Sequence, residues 1–130
     1  MSESTPAQIA IAIVHRVDSV LVGVRSEEIV LAGMAEFPGG KIQPGESPEN
    51  AAARDCLEET GIAVRVERLR QRLQFEYPHG TLDLHFFNCV PLEAEATPIN
   101  GFRWVSRDQL AGLEFPAANR EVIESLQSLQ

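Results

Sequence analysis

Asp55, Glu58 and Glu59 stand three and four residues apart, and Glu46 precedes them. If residues 48–60 form a helix, spacings of three and four put all three carboxylates on one face. Like charges so placed repel by roughly a few tenths of a kcal/mol per pair. A helix that accepts such repulsion, with a further carboxylate in the loop before it, is organised to hold a hard cation. The carboxylate donors are all oxygen and no His lies nearby, which points to Mg²⁺, with Mn²⁺ as a substitute, rather than zinc. The helix itself is signalled locally: Ser47-Pro48 places a capping hydroxyl before a proline at the first helical position, and Gly61 supplies the stop.

The residues Gly40, Glu46, Arg54, Asp55, Cys56, Glu58, Glu59, Gly61 and Ile62 keep the register of a long pattern. That pattern is Gly, five residues, Glu, seven residues, then Arg-Glu-aliphatic-x-Glu-Glu-x-Gly-aliphatic. It is the Nudix box, and the chain resembles the Nudix hydrolases. Two positions depart: Asp55 stands where the family has Glu, and Cys56 where a bulky aliphatic is usual. The stretches Glu36-Phe37-Pro38-Gly39-Gly40-Lys41 and Phe115-Pro116-Ala117-Ala118-Asn119, followed by Val122-Ile123, look like those of nucleotide-pool-cleaning members of the family. Together they span most of the chain from Ile9 to Leu126.

The resemblance implies an α/β/α sandwich, a mixed β-sheet between helices. It implies a Mg²⁺-dependent hydrolase in which water attacks phosphorus and a nucleoside triphosphate becomes monophosphate plus pyrophosphate. The implied substrate is an oxidised purine nucleotide such as 8-oxo-dGTP. Alternatives are CTP, dCTP or a nucleoside diphosphate derivative, or a nucleotide-binding Nudix domain without turnover. The implied metal ligands are Asp55, Glu58, Glu59 and the Gly39 carbonyl. The implied catalytic group is Arg54, Asp55, Glu58 and Glu46, with Arg54 orienting a carboxylate rather than touching substrate. Arg25, Glu36, Phe37, Pro38 and Asn119 match substrate-contacting positions. Asn119 equally suits the N-cap of the last helix, Phe37 the core, and Arg25 a solvated surface. Relatives also carry a Glu in a later loop, where this chain has Asn100; Glu93 and Glu95 are nearby substitutes.

The chain's 130 residues, 44% hydrophobic and 23% charged, fit one globular domain. A net charge of −8 argues against a nucleic-acid polymer as partner, since phosphate backbones need basic surfaces. It leaves open a small phosphorylated ligand bridged by a divalent metal. Cys56 and Cys89 match no metal spacing and read as free thiols of a reducing, cytoplasmic compartment. Residues 1–8 are expected to be a flexible tail without signal-peptide character, and 9–130 the single domain, monomeric or weakly dimeric. The apolar run Ile9 to Val14 is too short for a membrane span and suits a strand buried on both faces.

The elements that must position the carboxylates follow from periodicity. Val20 to Val24 reads as a second strand. Val64 to Phe75 and Thr81 to Val90 alternate and read as a hairpin turning at Pro78-His79-Gly80. Phe102 to Val105 is a short strand and Arg107 to Leu110 a short helix. Asn119 to Leu129 is an amphipathic helix carrying Val122, Ile123 and Leu126 on one side. Arg65, Arg68, Arg70 and Arg72 admit an anion patch or a solvated face balanced by nearby acids, and the second fits better. His15, His79 and His85 stand singly and read as structural, and Trp104 as core.

Overall fold

In β1 (Ala7–Arg16), Ala10, Ala12 and Val14 pack on one side of the sheet and Ile9, Ile11 and Ile13 on the other. A strand so buried on both faces belongs at the centre of a layered domain. The computed structural model describes residues 6–24, 34–78 and 80–127. Arg25, His79, Leu129 and the first five residues of the expected tail lie outside them. The strand begins at Ala7, inside that tail: Ala7 and Gln8 pair with Leu82 and Asp83.

The remaining strands are β2 (Ser19–Val24), β3 (Ala35–Glu36), β4 (Gly39–Lys41), β5 (Val64–Tyr77), β6 (Gly80–Pro91) and β7 (Arg103–Ser106). β1 runs parallel to β6, from Ala7 opposite Leu82 to Val14 opposite Cys89. β5 and β6 form the expected antiparallel hairpin. The first half of β1 pairs antiparallel with β4, and its end turns through Val17 into β2. β2 in turn pairs with β7 and β3. The sheet is therefore mixed, as anticipated.

Helix α1 (Pro48–Thr60) covers one face, setting Ala51, Ala52 and Cys56 against Ala10, Ala12, Val14, Phe87 and Cys89. Small residues on both partners allow a close approach. Helix α2 (Arg120–Gln127) covers the other face through Val122 and Leu126, beside Ile13, Val20, Val22 and Phe86. Cys56 and Cys89 are free and buried, and burial raises their thiols to about 11 and about 12. Among the described residues no helix is long and apolar enough to cross a membrane.

Strands β3 and β4 are not apparent from propensity, because Gly39-Gly40 is a poor strand former. Pairing with Ile9 to Ile11 holds β4 in place. A Cβ at Gly39 would stand 2.6 Å from the Ala10 carbonyl oxygen, so glycine is what permits this approach.

Candidate active site

Helix α1 has the ends its sequence predicts. The Ser47 hydroxyl accepts from the Asn50 amide, and Gly61, with φ 78°, donates its amide to Leu57. Fixing both ends fixes the rotation of the helix, which carries Arg54, Asp55, Glu58 and Glu59 toward β4 and the loop before the helix.

Arg54 organises that cluster. Its Nε and Nη2 donate to the two oxygens of Glu46 at 2.6 and 2.9 Å, a bidentate pair. Its Nη1 donates to Asp55 at 2.9 Å and Glu58 at 3.3 Å, and Nη2 also reaches the Lys41 carbonyl at 3.3 Å. Glu46 is further held by the Gln43 amide at 3.0 Å. These bonds, Arg54 first, pull the Glu46 carboxyl down to about 2. The expected catalytic group of Arg54, Asp55, Glu58 and Glu46 is thus brought together, with Arg54 gripping carboxylates as anticipated.

Two carboxylates sit in a drier setting. Burial raises Asp55 above its ordinary value against the pull of Arg54. Burial also raises Glu59 to about 7, opposed by the Gly39 amide, which donates to Glu59 Oε1 at 3.2 Å. Asp55 is 7% exposed, and its Oδ2 is buried with no hydrogen-bond partner among the described residues. Buried polar atoms are nearly always partnered, so an orphaned carboxylate oxygen in an all-oxygen cluster suits a hard cation.

The expected ligands Gly39, Asp55, Glu58 and Glu59 share one neighbourhood but do not form a ready cage. Among the described residues no three acidic, histidine or cysteine side chains converge as a metal site. The physical reason is that like charges separate and take the donors at hand: Glu58, 62% exposed, leans to Arg54, and Glu59 takes the Gly39 amide. A hard divalent cation suits such a set where one or two carboxylates hold it and waters complete its shell.

Beside the cluster lies a pocket of about 280 Å³. Ile9 and Ile11 of β1 and Leu82 and Leu84 of β6 line it, with Phe37, Tyr77, Pro116 and Ala118. Glu36 and Asn119 contribute polar groups, and Gly39 and Gly40 form the side shared with the carboxylates. Phe37 is 6% exposed and stacks on Phe115, with centroids 5.0 Å apart and planes 26° apart. It is therefore both core and pocket wall.

Asn119 closes a 3-10 turn (Ala117–Asn119) before α2, and its side chain makes no hydrogen bond to a described residue. The capping alternative does not hold, and its amide remains available to the pocket. Pro38 is buried but does not line the pocket; its carbonyl accepts from the Ala12 amide at 2.9 Å. Arg25 lies outside the described residues. Asn100, in the position compared with a family Glu, has φ 59° and donates from Nδ2 to the Glu59 carbonyl at 2.9 Å. It ties down the end of α1.

Sequence reasoning missed Tyr77, Leu82, Leu84, Ile9 and Ile11 as pocket residues. Their signal was the alternation within each strand; the missing information was the register that sets Ile9 beside Leu84.

The NUDIX domain family matches residues 9–125. The 8-oxo-dGTP diphosphatase of Escherichia coli is 34% identical over 125 residues, covering 94% of this chain and 97% of the relative. That of Haemophilus influenzae is 41% identical over 96 residues, covering 70% and 68%. The crystal structure of the MutT protein from Methanosarcina mazei Go1 superposes with TM-score 0.76 at 27% identity, covering 96% of each chain. With the box in register on α1 and the carboxylates gathered at β4, this chain belongs to the Nudix hydrolase family.

Proposed function

We propose that the protein is a Mg²⁺-dependent pyrophosphohydrolase that converts a nucleoside triphosphate and water to the monophosphate and pyrophosphate. An oxidised guanine nucleotide such as 8-oxo-dGTP is the proposed substrate. One observation carries the reading: Gly39 and Gly40 belong to the pocket and to the carboxylate cluster at once. The Gly39 amide donates to Glu59, and a Cβ at Gly40 would stand 2.8 Å from Asp55 Oδ2. A base held in the pocket therefore places its phosphates along the acidic face of α1.

Asp55, Glu58, Glu59 and the Gly39 carbonyl would hold the metal, which supplies charge neutralisation at phosphate and activation of water. Arg54 keeps Glu46, Asp55 and Glu58 in fixed relation through its planar fork. Asp55, buried and with Oδ2 unbonded among the described residues, supports a role either as metal ligand or in polarising the attacking water. Phe37 and Tyr77 offer aromatic surface to a base. The Asn119 amide both donates and accepts, as a purine edge with adjacent carbonyl and ring N–H requires. The relatives named 8-oxo-dGTP diphosphatase support that choice of substrate.

The test is turnover of a nucleotide panel with Mg²⁺, read as pyrophosphate and monophosphate together. The panel includes 8-oxo-dGTP, dGTP, CTP and dCTP. The proposal expects the highest kcat/KM for 8-oxo-dGTP and no turnover after chelation. A preference for CTP or dCTP would reassign the pocket, and phosphate release in place of pyrophosphate would reject the reaction.

A further inference from the structure

A second cleft, of about 440 Å³, is lined by residues of β5, by Asn88 of β6, by His15 near the end of β1 and by Ser125 of α2. His15 belongs to it, four residues along β1 from Ile11 of the nucleotide pocket. At about 3.3 Å per residue that is roughly 13 Å along the strand, with fully buried Ile13 between them.

The cleft is made by an irregular strand. β5 contributes Glu67, Arg68, Arg70 and Gln71 to it, whereas a regular strand sends only alternate residues to one side. Register shifts between Val66 and Arg68 and between Leu69 and Gln71 break that alternation. Bulges re-aim side chains and concentrate near functional sites.

The charges there are not balanced. Of the four β5 arginines, Arg65 pairs with Glu67 at 3.0 Å and Arg72 with Asp83 at 2.7 Å. Neither Arg68 nor Arg70 has a carboxylate within ion-pair distance among the described residues. Among the described residues, half-buried Arg70 donates only to neutral oxygens, Asn88 Oδ1 at 3.0 Å and Ser125 Oγ at 3.1 and 3.3 Å. Glu67, the one acid lining the cleft among the described residues, pairs with Arg65. In a chain of net charge −8, two arginines in one cleft with no ion-pair partner among the described residues are conspicuous.

Asn88 sharpens the chemistry. Arg70 has no acceptor, so the Asn88 atom it meets is the oxygen. His15 Nε2 meets that same oxygen at 3.0 Å and must donate to it. The Asn88 amide nitrogen itself has no hydrogen bond to a described residue. The cleft thus combines two guanidinium groups with an available amide donor. The expectation of a solvated, acid-balanced arginine face holds for Arg65 and Arg72; Arg68 is solvated but without an acid partner among the described residues, and Arg70 is half-buried.

We infer that this cleft is a second ligand site, taking a small oxyanion of the phosphate class between Arg68 and Arg70. Inorganic phosphate, pyrophosphate and the phosphate of a nucleoside monophosphate share the chemistry it recognises. The test is calorimetric titration of metal-free protein with each of these at constant ionic strength, so that the metal-dependent nucleotide site stays silent. One-site binding tighter than about 1 mM is expected for pyrophosphate. Equal binding of the monophosphate would identify a nucleotide as the source, and binding of the inorganic anions alone would identify free oxyanion.

Arg68→Ala, at an exposed position, should weaken binding about tenfold, the ratio carried by one charge-assisted contact, without changing turnover. Arg70→Gln should abolish binding, with a thermal melt confirming a folded protein. Glu59→Gln should leave it unchanged. Absence of binding to the wild type would overturn the assignment. So would binding that Glu59→Gln removes and Arg68→Ala does not.

Discussion

Replacing Gly40 by alanine adds one methyl group 2.8 Å from Asp55 Oδ2, 3.2 Å from its Cγ and 3.3 Å from its Oδ1. Gly40 lies outside the left-handed region, so alanine meets no backbone strain there. The contact is with the end of a side chain, which yields by rotating. Ordinary van der Waals separation requires the carboxylate to retreat by about 0.6 Å. An off-rotamer Asp55 and a stretched bond to Arg54 together cost on the order of 1 kcal/mol. That lowers Tm by about 3–5 °C for a chain of this size. The rate responds more steeply, because roughly 1 Å of misplacement can cost a hundredfold, so 0.6 Å predicts a loss of about tenfold in kcat. The assay is steady-state pyrophosphate release with saturating Mg²⁺, run with a thermal melt. Asp55→Asn should by itself lower kcat by about 10²-fold or more, and Gly40→Ala added to it should cost little further, since both act through one carboxylate. A kcat within twofold of wild type would refute the claim that Gly40 positions Asp55, as would full additivity of the two substitutions.

Glu59→Gln keeps an oxygen for the Gly39 amide and removes a partly buried charge, so the metal-free protein should melt no lower than wild type while Mn²⁺ binding weakens and turnover is abolished; near-normal turnover would remove Glu59 from the metal site. Asn119→Ala should leave Tm unchanged, because the side chain bonds to no described residue, yet lower kcat/KM for 8-oxo-dGTP by roughly 10–100-fold more than for dGTP. Equal losses across the nucleotide panel would end its role in base recognition. Asp83, 2% exposed, has its carboxyl held below the usual range first by Arg72 and then by Gln8, against the cost of burial. A depressed folded value stabilises above the ordinary carboxylate range and is lost as pH falls through it, so Asp83→Asn should flatten the decline of Tm below about pH 4. An unchanged acid limb would show that the ion pair contributes nothing to stability.

What sequence could show depended on how far the deciding contact lay along the chain. Helix α1 was legible because its cap, stop and carboxylates lie within a few turns of one another, and β1 because an apolar run buried on both sides looks alike in any sheet. The pocket was not, because Ile9 meets Leu84 only through a parallel register, and alternation within each strand is silent about which residues become neighbours. Asn100 shows a different failure. Comparison by position only set it where relatives carry a Glu and was silent about what it does, although Asn-Gly is also a turn signal; its amide binds the last turn of α1. Arg54 gives the plainest case. Helical spacing pairs it with Glu58, four residues on, but that bond is 3.3 Å, against 2.6 and 2.9 Å to Glu46. The Glu46 carboxylate is turned back by the Gln43 amide before the helix begins, so a loop residue takes the guanidinium fork and leaves Glu58 largely in solvent. The types and spacing of these residues identify the chemistry. Which carboxylate is pinned and which is left available is decided by one loop contact that no periodicity reports.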